Sequence, residues 1–385
     1  MTPPTRPPRA RATAAVAGCC LALSALAVSA CGEPYKAPPK RSSLATSAED
    51  VGGMQSLVSA AKKEGTLNTI ALPRDWANYG ALIDGFERKY GIRVRVENPG
   101  GSSQDEINTV QARKGQANAP DVLDVGDSFA HAGVQQGLLA PYHVAAYDSI
   151  PENQKDPLAR WYNNYGGYVS IGCAAELVET CPKTFADLKK PQYKDKVTLD
   201  GDPTRSGSAF AGVYAAALAN HGSFDDIQPG IDFFAELKKA GNYSSVRTTV
   251  PPVDKGGSPI IISWDFLNLS RTEPLRRKGV DWRVSIPFDG SFAEYYAMAI
   301  NKYAPHPAAA RLWQEYLFST EGQNLRLYGY ARPVLMAAMA EDGTLDKAAA
   351  AKLPTVEGTP VFPTETQIQK AREAIARGWA DAVSG

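Results

Sequence analysis

The chain has 385 residues with 41 basic and 41 acidic side chains; 21% of residues are charged and 44% apolar, the balance of an ordinary globular protein. No basic patch or charge run stands out, so nucleic acid is not an expected partner. About 350 residues beyond the first segment are enough for two domains.

The N-terminus carries Arg6, Arg9 and Arg11, then an apolar, small-residue run from Ala12 to Ala30. A basic start, an apolar middle and small residues before a cut describe a secretory signal over residues 1–30. Ser and Gly interrupt the run and a cleavage pattern flanks it, so a transmembrane helix is not expected. Losing the three arginines leaves the mature chain three net negatives. The segment closes on Val28-Ser29-Ala30-Cys31-Gly32. A cysteine directly after small residues resembles the bacterial lipobox. That resemblance implies that Cys31 becomes the mature N-terminus and carries acyl chains, more than one being needed for stable anchoring. The expected location is the extracellular face of a bacterial cell membrane. Residues 31–47, rich in Pro, Lys and Ser, read as a flexible tether.

Cys19 and Cys20 leave with the signal, so Cys173 and Cys181 remain in an oxidising compartment. One disulfide between them is expected. A metal site would need more ligands than two thiols with no nearby His.

Folding starts near Ala48, where Met54, Leu57, Val58 and Ala61 mark a helix face ended by Gly65. Leu67–Leu72 is a short strand. Leu82, Ile83, Phe86 and Tyr90 have helical spacing before Gly91. Ile92, Val94 and Val96 alternate with charged residues, a strand with one wet face. Asn98–Gly101 is a turn, and Ser103-Gln104-Asp105-Glu106 reads as a capping box opening a helix. Asp121–Gly126 is the third strand. Tyr165–Gly172 is a longer extended run, and Lys196–Leu199 is another strand. Asp202–Ser208 opens a helix with Phe210, Val213, Tyr214 and Leu218 on one face. Pro259–Trp264 is a buried-type strand, and Tyr296, Met298 and Ile300 share one side of an extended run. Pro307 starts a helix with Leu312, Trp313, Tyr316 and Leu317 as its core face; Ala331–Val334 is a loop, and Gln367–Val383 is a final helix. Strands alternating with helices predict an α/β fold, its sheets mixed but mostly parallel and flanked by helices, with ligands beyond the carboxyl ends of the strands.

Several stretches, in this order, resemble family 1 extracellular solute-binding proteins. They are the lipobox, Tyr165-Gly166-Gly167-Tyr168-Val169, Pro182–Leu188, Asp202–Ser208, Ala299-Ile300-Asn301-Lys302 and the helix through Ser319–Gln323. The branch most resembled binds ferric iron, thiamine, polyamines and phosphonates. The resemblance implies a two-lobed periplasmic-binding-protein-like (type II) fold with a crossover hinge, ligand caught between the lobes, no cofactor, and delivery to the membrane subunits of an ABC permease. A monomer is expected. Lobe 1 would be residues 48–165, completed by about 297–328, and lobe 2 residues 166–296, completed by about 329–385. A lipoprotein presenting ligand to a membrane sensor would share the fold.

Ser206 is a natural N-cap, and Gly207-Ser208-Ala209 puts no acid in the first turn. With Thr204 and Arg205 beside it, this is an anion site or a plain solvent-facing cap. Ser102 and Ser103 precede Asp105 and Glu106, which would repel an anion. Trp264-Asp265 ends a strand, where a carboxylate beside an aromatic face suits an ammonium group; alternatively Asp265 caps the next helix. Asp127 ends the third strand similarly, with Ser128 after it, and Trp76 walls the cleft or packs in the core. The expected ligand is a small charged solute of phosphonate, amino-carboxylate or polyamine type.

Ferric iron is the alternative. Iron binders of the resembled branch use an adjacent Tyr pair, where this chain has Trp264-Asp265. Tyr295-Tyr296 is such a pair, but in an extended run its side chains point to opposite faces; Tyr295 alone is kept as a candidate. An enzyme is not expected. Gly126-Asp127-Ser128 is similar to the start of certain lipases, yet none of His131, His143, His221 and His306 lies three after an Asp, so Ser128 has no base. No Gly-x-x-x-x-Gly-Lys loop appears.

Overall fold

The computed structural model describes residues 41–245, 258–356 and 361–384. The signal segment and Cys31 lie outside them. The chain is already packed at the far end of the expected tether: α1 spans Arg41–Leu44, and Ser42, Ala45 and Ala48 are buried. The cause is Arg311, a buried arginine that needs acceptors and donates to the backbone oxygens of Ala45 at 2.8 Å and Ser43 at 3.3 Å. The stretch from Ser42 to Ser47 is therefore part of the folded body, a correction to the tether's length.

The first strand–helix units form as the periodicity predicts. α2 (Met54–Glu64) ends at Gly65 and α3 (Tyr79–Tyr90) at Gly91, both glycines left-handed with φ 67°. β1 (Thr66–Ile70) pairs in parallel with β2 (Arg93–Glu97), whose alternate residues are exposed. α4 (Ser103–Ala112) does begin with a capping box, but one residue earlier than the sequence suggests. Ser102 is the N-cap and Asp105 its partner, so Ser103 is already helical.

β3 (Val122–Gly126), α5 (Asp127–Gln135) and the short β4 (Leu139–Ala140) follow, then the long β5 (Trp161–Ala174). Next come β6 (Val197–Leu199), α6 (Gly207–Ala219) and α7 (Gln228–Lys239). β7 (Ile260–Trp264), α8 (Asp265–Arg276), β8 (Trp282–Ser285) and β9 (Ala293–Asn301) complete the centre. α9 (Pro307–Leu317), α10 (Thr320–Tyr328), β10 (Arg332–Pro333), α11 (Met336–Glu341), α12 (Lys347–Ala350) and α13 (Glu365–Val383) end the described chain. None of the described helices is long and apolar enough to cross a membrane.

The main sheet runs β3-β9-β5-β7-β6. β5 is its spine. Trp161–Tyr168 pairs with β9, and Val169–Cys173 pairs with β7. Every β5 residue is buried, which is why the run shows no alternation. Gly167 fits only as glycine, because a Cβ there would collide with the Asp265 carboxylate and the Phe266 ring.

The sheet is mixed, as expected, but parallel pairing does not dominate. Among the described ladders only β1–β2 and β6–β7 are parallel, and those of β5 and β9 with their neighbours are antiparallel. Long excursions separate β5 from β7 and β9, so local sequence does not set their direction. α6 also departs from the one-faced reading: Ser208–Ala217 is buried all round, because its alanines and Gly212 let neighbours approach on every side. Cys173 and Cys181 form a disulfide with Cα atoms 5.8 Å apart, tying the end of β5 to the following loop.

Candidate functional site

A cleft of about 440 Å³ opens where several of these elements end. One wall is Trp76, which follows β1, with the Pro99–Ser103 turn and the start of α4. The other is the segment from Asp200 to Ser208, which follows β6 and opens α6. Asp124 of β3 and Tyr296 of β9 also line it.

The start of α6 is built by local hydrogen bonds. Asp202 Oδ1 accepts from the Thr204 amide at 2.9 Å and hydroxyl at 2.7 Å. The Asp202 carbonyl accepts from the amides of Arg205 and Ser206. Ser206 Oγ accepts from the Ala209 amide at 3.3 Å and donates to the Asp200 carbonyl at 2.9 Å. No acid occupies the first turn. The first two helical amides, Gly207 and Ser208, precede any intrahelical acceptor and carry the positive end of the helix dipole. Arg205 is exposed on the same rim, and no carboxylate lies within ion-pairing distance of it among the described residues.

Across the cleft, the start of α4 is already filled. Asp105 Oδ2 accepts from the Ser102 amide at 2.9 Å and the Ser102 hydroxyl at 2.8 Å. Those bonds hold the Asp105 carboxyl below its usual range, with Arg205 adding a smaller electrostatic pull. Glu106 is fully buried and accepts from the Asp124 amide at 3.0 Å. Burial, reinforced by the Asp124 charge, pushes its carboxyl well above the ordinary range.

An aromatic relay forms the floor. Trp76 Nε1 donates to the Tyr165 hydroxyl at 2.7 Å, and that hydroxyl donates to Asp124 Oδ2 at 2.7 Å. Tyr296 stacks on Tyr165 at 5.5 Å and meets Trp76 edge-on at 5.4 Å.

Of the residues singled out in the sequence, Trp76, Ser102, Arg205, Ser206 and Ser208 come together in the cleft. Thr204 lines a neighbouring cavity of about 290 Å³ that shares Ser102 and Arg205 with it. The remaining four positions and Tyr295 lie elsewhere. Asp127 opens α5 and sits 3.5 Å from His131. Ser128 Oγ accepts from Arg372 Nε at 3.1 Å and from a terminal guanidinium nitrogen at 2.9 Å. Trp264 is buried and donates to the Tyr296 hydroxyl at 3.3 Å. Asp265 cannot offer itself to an ammonium group: it is fully buried, ion-paired with Arg332, and accepts from the amides of Tyr168 at 3.0 Å and Phe266 at 2.9 Å. Its role is to open α8.

Tyr295 packs edge-on against Phe362 at 5.8 Å while Tyr296 faces the cleft, so the pair points to opposite sides. Among the described residues no group of three or more His, Cys, Asp or Glu is placed to hold a metal ion. Sequence reading missed Asp124, Asp200, Tyr165 and Tyr296. For Asp124 a signal existed: it is a lone acid inside the wholly buried strand Val122–Gly126.

A cleft walled by strand-end loops and two helix N-termini, beside a sheet threaded by long central strands, defines a ligand-binding α/β protein. The profile of the bacterial extracellular solute-binding protein family matches residues 117–378, and the chain belongs to that family. It is thus a solute-binding protein of the periplasmic or extracellular side, not an enzyme. It is 26% identical over 253 residues to an uncharacterised protein of Haemophilus influenzae, covering 62% of this chain and 69% of that one. Its fold is similar to that of the periplasmic binding protein AfuA from Actinobacillus pleuropneumoniae, solved with fructose-6-phosphate, with TM-score 0.63, 19% identity, and 83% of this chain and 99% of that one covered. It is also similar to iron-bound HitA from Pseudomonas aeruginosa, with TM-score 0.59, 18% identity and coverage of 82% and 99%.

Proposed function

We propose that the protein captures a small solute with an anionic group, of the phosphonate or amino-carboxylate type, and delivers it to an ABC permease. One observation carries this reading: Arg205, without a described acidic partner at ion-pairing distance, stands beside the acid-free N-terminus of α6 on the rim of a 440 Å³ cleft. Amides at a helix start and a guanidinium together suit a phosphonate or carboxylate. A polyamine reading loses its main support, since Asp265 is taken by Arg332. Ferric iron finds Tyr296 in the cleft without Tyr295.

The two walls belong to the two expected lobes. Solute touching both would favour the closed arrangement, because only there do both sets of contacts exist, and the permease would read that closed surface. Cys31, acylated after the signal is cut, would tether the monomer to the membrane; the intact mass of detergent-extracted protein tests this, and an unmodified Cys31 would refute it.

Calorimetry of the delipidated protein against phosphonates, amino-carboxylates, putrescine and a neutral sugar tests the ligand class. Binding of an anionic member, weakened by Arg205→Ala, is the expected result. Binding of putrescine or the sugar alone would overturn it.

A further inference from the structure

The cavity of about 290 Å³ beside the cleft has its own chemistry. It shares Ser102, Asp105 and Arg205 with the cleft, and Phe129 of α5 and Arg372 of α13 join its lining. Its charged side chains are Asp105, Arg205 and Arg372, two cations against one acid. The acid is already bonded to the Ser102 amide and hydroxyl.

Arg372 is half-buried, and its guanidinium lies over the rings of Phe129 at 4.4 Å and Phe210 at 4.5 Å. Nε and one terminal nitrogen donate to Ser128 Oγ at 3.1 Å and 2.9 Å. The other terminal nitrogen has no hydrogen-bond partner among the described residues, yet it is not sealed from solvent. No carboxylate among the described residues lies within ion-pairing distance of Arg372; Glu294 attracts it only from farther away. Burial pushes the Glu294 carboxyl up to about 7, so near neutral pH it compensates Arg372 incompletely. A largely desolvated cation without an anion is costly, and the guanidinium fork matches a carboxylate or phosphonate. Ser128 and the two rings hold the group in place and leave its open nitrogen for a solute.

We infer that this side cavity receives a second acidic group of the solute, held on Arg372, so that the preferred ligand carries two anionic groups. This rests on the anion reading above: the first group sits at Arg205 and the start of α6, and the second reaches Arg372 past the shared Arg205. A guanidinium there selects an acidic arm over an alkyl arm of equal length.

The test is calorimetry of the delipidated protein with phosphonoacetate, 2-carboxyethylphosphonate and 3-carboxypropylphosphonate, each against the alkylphosphonate of equal length. The wild type should bind at least one diacid about 10-fold or more tighter than its alkyl counterpart. Arg372→Gln should erase that preference while leaving alkylphosphonate affinity within about threefold, which also shows that the variant is folded. Ala376→Glu, on an exposed position of the cavity one turn along α13, should erase it independently by pairing Arg372 within the protein. No diacid preference in the wild type, or one that survives in both variants, overturns the inference and leaves the anion reading standing. Binding of no phosphonate, with Arg205→Ala silent against every other anion, overturns both.

Discussion

Helices α4 and α6 both begin at a serine N-cap on the rim of the same cleft, yet their first turns differ in charge. α4 carries Asp105 and Glu106 there, while α6 carries no acid and has Arg205 just ahead of it. Both helices satisfy their orphan amides in part with the cap serine. In α4 the capping box then adds a carboxylate that closes the site to anions. In α6 the dipole and two amides stay available. A helix start becomes a binding feature only when its own sequence leaves the positive end uncompensated.

Substitutions can break this contrast, and the largest effect should come from Arg205. A hydrogen bond to a charged group is worth about 1.5–3 kcal/mol, so Arg205→Ala should weaken phosphonate binding roughly 10- to 100-fold in calorimetry. Removing the Cys173–Cys181 disulfide by the double alanine variant should cost about 2–3 kcal/mol of stability in chemical denaturation, given its short loop. Affinity should not change, since neither cysteine lines the cleft.

Ser102→Ala and Ser206→Ala should each cost about 1 kcal/mol of stability as lost N-caps. Only Ser206→Ala should also weaken the anion, and equal losses of affinity from both would erase the distinction between the helices. The smallest effect is a pH dependence. The folded Asp105 carboxyl titrates below its unfolded value, so its contribution is fully present above the unfolded carboxylate range, near pH 4, and is lost as pH falls through the folded value. Melting curves of the wild type and Asp105→Asn should therefore converge as pH drops toward 2, while the uncharged Ser206 cap shows no such change.

Much of this was legible in the sequence where the signal was local. Gly65, Gly91 and Ser206 end or start their helices as read, and the alternation of Tyr295 and Tyr296 assigns them to opposite faces. Sheet direction was not legible, because β5 meets β7 and β9 across long excursions. Asp265 reads as a strand-end carboxylate facing the cleft, and what takes it away from any solute is Arg332, 67 residues along the chain, which pairs with it. Partners at that range are set by tertiary packing, which no local pattern records.

The amide spectrum of isotope-labelled protein titrated with 2-aminoethylphosphonate tests the central claim most directly. The amide protons of Gly207 and Ser208 should move downfield more than any on α4, as expected when they donate to an anion. Saturable binding that leaves those two signals in place would contradict the account.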